Sequence, residues 1–279
     1  MSNTPLIKKA DGELQAFSPN KLANSLRRAG AADYLIEEIV EDIESWLVEG
    51  TTTRKIYSRA FVLLRRKKRS LAGRYSLKKA IMELGPTGFP FEHFMGHVFQ
   101  SQGFKVETGQ VLQGKCVTHE VDVVATGEKE QHFVECKYYN SQGKYASVQV
   151  PLYIRSRVND LINVHELKPE YEGFTFHGWI ATNTRFTSDA MNYGLCSGLK
   201  LISWDYPNGE SIKAIVERES LFPITTLTQL NKSEKQELLS KGIVLCKELK
   251  EDPSLLDFLN LKPSKLLSLK EEIIDLSER

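Results

Sequence analysis

The chain has 279 residues, 41% of them hydrophobic and 26% charged, with 37 Lys+Arg against 36 Asp+Glu. At roughly 100–200 residues per domain this length predicts about two domains and a small appendage, and the apolar fraction excludes wholesale disorder. No stretch approaches the ~18 uninterrupted apolar residues of a membrane helix, no apolar segment follows the lysines of MSNTPLIKKADGEL, and Cys116, Cys136, Cys196 and Cys246 form no CxxC pair, so a reduced, cytoplasmic protein without membrane contact is expected.

Residues 5–17 (PLIKKADGELQAF) read as a short hairpin with Asp11-Gly12 as its two-residue turn. Ser18-Pro19 then opens a helix as N-cap and first position, with Leu22, Leu26 and Ala29 on one face. A second helix is predicted over about 34–48 from the spacing of Ile36, Ile39, Val40, Ile43 and Leu47, and a third from Thr53 with Ile56, Ala60, Leu63 and Leu64. A fourth covers about 70–84 and stops at Gly85-Pro86. Charge is segregated here: residues 33–49 carry seven acids and no base, and 54–79 carry eleven bases and no acid, centred on Arg65-Arg66-Lys67-Lys68-Arg69. Such blocks either bind phosphate or neutralise each other across neighbouring helices; eleven bases exceed what seven acids can neutralise.

The middle of the chain changes character. A helix near 89–101 (Phe91, Phe94, Met95, Val98, Phe99) ends at Gly103, and β-rich segments follow at 104–112, 119–126, 131–137, 174–182 and 199–204. Helices fall between them at about 147–164 and 187–196, which predicts an α/β domain with a mixed sheet. From about 220 the chain is helical again, with a turn at 239–243.

The chemistry concentrates in 119–137. HEVDVVAT puts Asp122 on a strand flanked by valines, and FVECKYY puts Glu135 and Lys137 two apart, hence on one face of the next strand. Adjacent strands bring Asp122 opposite that pair. Two carboxylates and an ammonium are what metal-assisted phosphodiester hydrolysis needs: carboxylates are hard ligands for Mg²⁺ or Mn²⁺, and a lysine positions water or neutralises developing charge. The backbone carbonyl of Cys136 is a further candidate ligand. An ordinary solvated Glu/Lys pair is the alternative, but apolar strands seldom carry three charges on one face without use. Glu120 shares a strand face with Asp122 and competes with it as a ligand. His93, His97 and His119 suggest no zinc set, because the helix bearing the first two is mainly a core helix.

GFPFEHFMGHVFQSQGFKVETG, then EVDVVA, then FVECKYY, resembles the PD-(D/E)xK nuclease superfamily, nearest to the Mrr-type restriction endonucleases and the archaeal Holliday junction resolvases. The resemblance covers about 88–207 and implies a restriction endonuclease-like α/β core. It assigns the helix glutamate to Glu92, the aspartate to Asp122, the ExK to Glu135 and Lys137, and a QxxxY glutamine to Gln149, one turn before Tyr153. Pro151 is tolerated near the start of that helix if Ser147 is its cap. Glu92 has a second reading, as an acid suited to the helix macrodipole.

IKKADGELQAFSPNKLANSLRRAG resembles the opening of an ATP-cone, a regulatory nucleotide-binding domain, and SLAGRYSLKKAI resembles its last helix. That resemblance implies ATP or dATP contacts from Lys9, Asp11, Gly12, Lys21, Arg27 and Arg28, with Phe17 and Leu22 as supporting matches; the arginine of the family's KRDG turn is Ala10 here. ITTLTQLNKSEKQELLSKGIVLCKEL resembles a helix-hairpin-helix with Gly242 in its turn, where backbone amides would grip a DNA phosphate; a plain helical cap on the nuclease domain is the alternative.

The expected organisation is a mostly helical ATP-cone-like unit at 1–86, a nuclease domain at 87–218 and a helical tail at 219–279. The expected function is a Mg²⁺-dependent DNA endonuclease, acting as a homodimer or higher homo-oligomer and regulated by ATP or dATP. A nucleotide-responsive DNA-binding regulator with an idle nuclease fold is the rival, and RNA or branched DNA are alternative substrates.

Overall fold

The computed structural model describes residues 5–9, 12–141 and 143–278. Ala10 and Asp11 of the predicted turn therefore lie outside the described residues, as do Met1 to Thr4, Gln142 and Arg279. Strands β1 (Leu6–Lys8) and β2 (Leu14–Ala16) pair antiparallel as expected. The turn is longer than predicted. Lys9 N–H donates to the Glu13 carbonyl, so three residues separate the last pair, and Gly12 sits at φ +90°, a conformation that costs glycine nothing.

Helix α1 (Pro19–Arg28) has the Ser18 cap and Pro19 start that the sequence predicts. It packs with α2 (Asp33–Trp46) and α3 (Thr53–Lys67) on a core of Leu26, Ile39, Ile43, Ala60 and Leu64. Each such buried Leu or Ile side chain contributes about 1.5–3 kcal/mol over an exposed one. The predicted fourth helix is two pieces, α4 (Arg69–Tyr75) and α5 (Leu77–Ile81). Ser76 separates them: its hydroxyl donates back to the Gly73 carbonyl at 3.0 Å, a bond that bends a helix. The bend divides two cores, because Ala72 belongs to the N-terminal one while Leu77, Ile81 and Leu84 pack into the one beneath the sheet.

Helix α6 (Phe89–Gln100) leads into β3 (Lys105–Gln113), β4 (Thr118–Thr126) and β5 (Glu130–Lys137). After the short β6 (Tyr145–Ala146) come α7 (Gln149–His165), β7 (Thr175–Thr182), β8 (Arg185–Phe186), α8 (Ser188–Cys196) and β9 (Lys200–Ile202). Among the described residues the main sheet has five strands in the order β3-β4-β5-β7-β9. Its first three strands are antiparallel and its last three parallel, so the mixed α/β sheet predicted from alternating strands and helices is present. Helix α7 starts at Gln149 behind Val148 with no side-chain cap, so Ser147 is not the cap. Pro151 still falls in the first turn, where no intrahelical donor is needed.

The sheet separates two cores. Phe91, Phe94, Met95 and Phe99 of α6 cover one face; Ile154, Val158 and Leu161 of α7 cover the other. The remaining helices α9 (Ile212–Glu219), α10 (Lys232–Ser240), α11 (Cys246–Glu251) and α12 (Pro263–Ser277) contribute Ile215, Leu238, Leu249 and Ile273 to the α6-side core. Gly242, at φ +78°, has His93 of α6 beside its missing side chain, and the Val244 and Leu245 amides donate to Glu248 Oε2. That turn is used for packing on the sheet domain. No helix among the described residues is long and apolar enough to cross a membrane.

Candidate active site

The β4–β5 ladder is regular from Thr126↔Gln131 to Val123↔Val134 and ends there. One step further, Asp122 and Glu135 stand opposite each other. Val121 packs in the α7-side core and Val123 in the α6-side core, so the period-two alternation breaks at Asp122. The Asp122 carboxylate takes over where the ladder stops: its Oδ2 accepts the Cys136 N–H at 2.6 Å. Neighbouring strand ends thus splay around a carboxylate instead of closing on each other.

Glu135 is 9% exposed and held from two sides. Its Oε1 is hydrogen-bonded by Lys137 Nζ, two residues along the same strand face, and its Oε2 by Arg157 Nη1 of α7 at 2.6 Å. Arg157 also donates to the Glu120 carbonyl and lies over the Tyr153 ring, 5.3 Å from its centroid. Gln149, Tyr153 and Arg157 fall four apart on α7, so one face of the helix leads from the exposed Gln149 to the buried carboxylate. Arg157 is absent from the residues singled out in the sequence. Extending the Gln149–Tyr153 spacing by one more turn reaches it.

Glu92 lies in the first turn of α6, over Gly88, where an added Cβ would come within 2.8 Å of its Oε1. Burial, then the charges of Glu120 and Glu135, raise the Glu92 carboxyl above its ordinary range against the pull of Lys137. Burial, then Glu135, also push Asp122 up to about 7, with Glu92 adding to the rise and the Cys136 amide and Lys137 opposing it. Burial opposes the charge on Lys137, but its Glu135 and Asp122 neighbours outweigh that and hold the ammonium above the usual lysine range. Three carboxylates therefore share one crevice, and their neighbours' charge raises Asp122 and Glu92. Glu120 itself is exposed, and Arg157 engages its main chain, which leaves Asp122 as the inward acid. The Cys136 thiol packs in the α6-side core, its pKa raised far up by burial, so of that residue only the backbone is a candidate ligand.

The donor set fits a hard divalent cation. Burial and the neighbouring carboxylates push the Asp122 and Glu92 carboxyls up, a strain that a cation would relieve, and Mg²⁺ commonly takes one or two carboxylates and keeps several waters. Among the described residues no three His, Cys, Asp or Glu side chains form a chelating group by themselves.

Of the residues matched to the nucleotide-binding resemblance, Asp11 lies outside the described residues. Lys9 Nζ is bonded to Glu13 at 2.6 Å, and Arg27 to Asn24 and Asp33, both at 3.1 Å. The groove beside Arg27 is lined by Asp33, Glu37 and Glu41, and the charge of Arg28 acts on Glu217 of α9. Lys21 is exposed on α1. The two charge blocks do pair in part, through Arg59 to Asp42 at 2.9 Å and Lys67 to Glu38 at 2.8 Å. Arg65, Arg66 and Arg69 instead line a surface groove that continues to Thr228 and Gln229.

Residues 86–206 match a family model described as restriction endonuclease, of the Mrr catalytic type, and residues 222–277 match the model described as AF1548-like, C-terminal. An uncharacterized protein of Archaeoglobus fulgidus is 36% identical over 154 residues, covering 55% of this chain and 82% of that protein. The crystal structure of a protein of unknown function, AF1548, is similar at a TM-score of 0.56 and 30% identity, over 68% of this chain and 98% of that one. A more distant likeness, with a TM-score of 0.34 and 15% identity, is to the MspJI restriction endonuclease in complex with a 27-mer oligonucleotide, over 62% of this chain and 36% of that one.

Proposed function

The chain belongs to the AF1548-like family and carries a restriction endonuclease-like domain, and we propose that it is a metal-dependent DNA endonuclease. The observation that carries this is the meeting of Asp122, Glu135 and Lys137 where the β4–β5 ladder ends. Asp122, Glu135 and the Cys136 carbonyl would hold Mg²⁺ or Mn²⁺, with Glu92 at the margin. Bound there, the ion supplies charge stabilisation on the phosphoryl oxygens and a lowered pKa for the attacking water.

The chain's own groups have separable roles. Lys137 keeps its proton beside Glu135, so it acts as a cation and hydrogen-bond donor to the phosphoryl oxygens, not as a base. Arg157 neutralises Glu135 in the metal-free crevice and gives way when the ion enters. Gln149, on the exposed end of the same α7 face, orients water or phosphate. The groove of Arg65, Arg66 and Arg69 supplies backbone-phosphate contacts without reading sequence. Cutting both strands calls for two such centres, and so for a homodimer.

The rival, a DNA-binding regulator with an idle nuclease fold that responds to ATP or dATP, needs Lys9 and Arg27 free for a phosphate, and both are bonded to acids. It also gives buried charges at Glu135 and Asp122 no use. The test is plasmid cleavage with Mg²⁺ or Mn²⁺ against EDTA, with Lys137→Ala as control and with linear duplex, single-stranded, junction and RNA substrates in parallel. Metal-dependent cutting of DNA that falls by roughly a hundredfold or more in the variant is expected. DNA binding without cutting, under every metal condition, would transfer the assignment to the regulator. Repeating the assay with ATP or dATP tests control through the N-terminal unit.

A further inference from the structure

A cleft of nucleotide-like dimensions lies away from the carboxylates, where three parts of the chain meet. Helix α5 and the segment after it contribute Lys79 and Glu83, the loop after β5 contributes Asn140, and the C-terminal helices contribute Thr225, Lys232 and Lys235. Its volume is about 680 Å³, within the ~300–1,000 Å³ of small-molecule sites. A second cavity of about 200 Å³ shares Lys79, Glu83, Thr225 and Lys235 with it and extends to the rings of Tyr57 and Phe61.

The lining is unbalanced in charge. Lys79 is within 3.5 Å of Glu83, its i+4 neighbour, but Lys232 and Lys235 make no ion pair among the described residues. Lys235 is half-buried, its Nζ donates to the Thr225 carbonyl at 2.7 Å, and burial lowers its pKa. Glu83 and Glu272 act on this half-buried ammonium through their charge but form no ion pair with it among the described residues, so an anion in the cleft would add the direct partner it lacks. At the other end the Tyr57 hydroxyl is buried beside Ser76, whose oxygen is open to accept from it because the Ser76 hydrogen goes to the Gly73 carbonyl. The cleft thus offers cations at one end and an aromatic wall at the other.

We propose that this cleft binds a small phosphate-bearing molecule, its phosphates on Lys79, Lys232 and Lys235 and any planar ring toward Tyr57 and Phe61, and that occupancy sets the activity of the carboxylate centre. The second half rests on the nuclease reading. The link is short. Tyr138, next to Lys137, donates its hydroxyl to the Met82 carbonyl at 2.7 Å, and Asn140 Nδ2 donates to the Pro86 carbonyl at 3.3 Å. Gln236 of α10 donates to the Gly85 carbonyl at 3.0 Å, so the segment 82–86 joins the lysine-bearing helix to the end of the catalytic strand. A ligand that draws Lys79, Lys232 and Lys235 together moves or clamps that segment.

The full chain would be titrated by calorimetry with ATP, ADP and inorganic pyrophosphate, without DNA. Saturable binding of at least one is expected, weakened about tenfold or more by Lys235→Gln and by Lys232→Gln, whose exposed position puts folding at no risk, and unaffected by Lys9→Ala with Lys21→Ala. Pyrophosphate binding as tightly as the nucleotides would assign recognition to the phosphates alone; tighter nucleotides would assign the ring to the Tyr57 end. No binding of any of the three, binding indifferent to Lys232 and Lys235, or binding lost in the Lys9/Lys21 variant overturns the site. In plasmid cleavage the ligand is expected to change the wild-type rate and to leave the rate of Lys232→Gln unaltered. Binding with an unchanged rate overturns the control of activity, whereas binding by a protein that cuts nothing overturns the nuclease reading and leaves the site standing.

Discussion

Arg157 of α7 donates to Glu135 of β5 at 2.6 Å, on the carboxylate whose other oxygen is taken by Lys137. Both Glu135 oxygens are thus satisfied by side chains, and a cation entering the crevice competes with Arg157 for Oε2. Arg157→Leu is expected to lower the Mg²⁺ concentration for half-maximal cleavage about three- to tenfold, on the order of 1 kcal/mol. A metal titration of plasmid nicking reads this directly, and an unchanged requirement would mean that the two do not compete.

The Asp122 carboxyl, raised to about 7 by burial and Glu135, makes stability depend on pH with a definite sign. Its proton is held more tightly in the folded chain than in the unfolded one, where the ordinary value is 3.8. That contribution is fully present below about pH 4 and is lost as pH rises through about 7. Relative to Asp122→Asn, the wild type in EDTA should therefore lose on the order of 2–4 kcal/mol between those limits. Urea unfolding of both proteins across that range checks it; Mg²⁺ should narrow the gap at pH 8.

His165 gives the opposite slope. Burial lowers its pKa to about 4, its Nδ1 is 3.1 Å from Gln131 Oε1, and its Nε2 is buried without a partner. Stability from the neutral ring is present above the ordinary value of 6.5 and is lost as pH falls through about 4. His165→Phe, which suits the surrounding Phe133, Tyr171 and Phe176 rings, should flatten this acid limb by up to about 3 kcal/mol while lowering stability at pH 8 through the unpaired Gln131 Oε1. Equal acid slopes in the two proteins would assign the limb to other groups.

Gly85 is required by close approach. A Cβ there would come within 2.7 Å of Tyr138 Cε1 and Asn140 Oδ1. Asn140 is exposed and can swing away, but Tyr138 is held by its bond to the Met82 carbonyl. Gly85→Ala is expected to cost about 1–3 kcal/mol in urea unfolding and to slow cleavage, since Tyr138 adjoins Lys137. Wild-type stability in this variant would show that the segment yields freely.

Much of the molecule follows from local pattern. Ser18-Pro19 starts α1, and Ile36, Ile39 and Ile43 define the buried stripe of α2. The alternation of strands with helices predicts the mixed sheet, and the two-residue spacing of Glu135 and Lys137 predicts their shared face. These features depend on residues within a few positions of one another, because backbone periodicity is a local property. The three-residue β1–β2 loop, the bend at Ser76 and the uncapped start of α7 depend on which backbone donors find partners, and hydrophobic spacing carries no record of that. Three further features were decided by tertiary structure alone. Arg157 reaches Glu135 across 22 positions of chain, the strand alternation breaks at Asp122 where a carboxylate replaces a ladder bond, and Lys79 meets Lys235 across one cleft. Each depends on which face of a helix comes to rest on which strand, and that is settled by burying apolar surface between elements distant in sequence, not by the order of residues within any one of them.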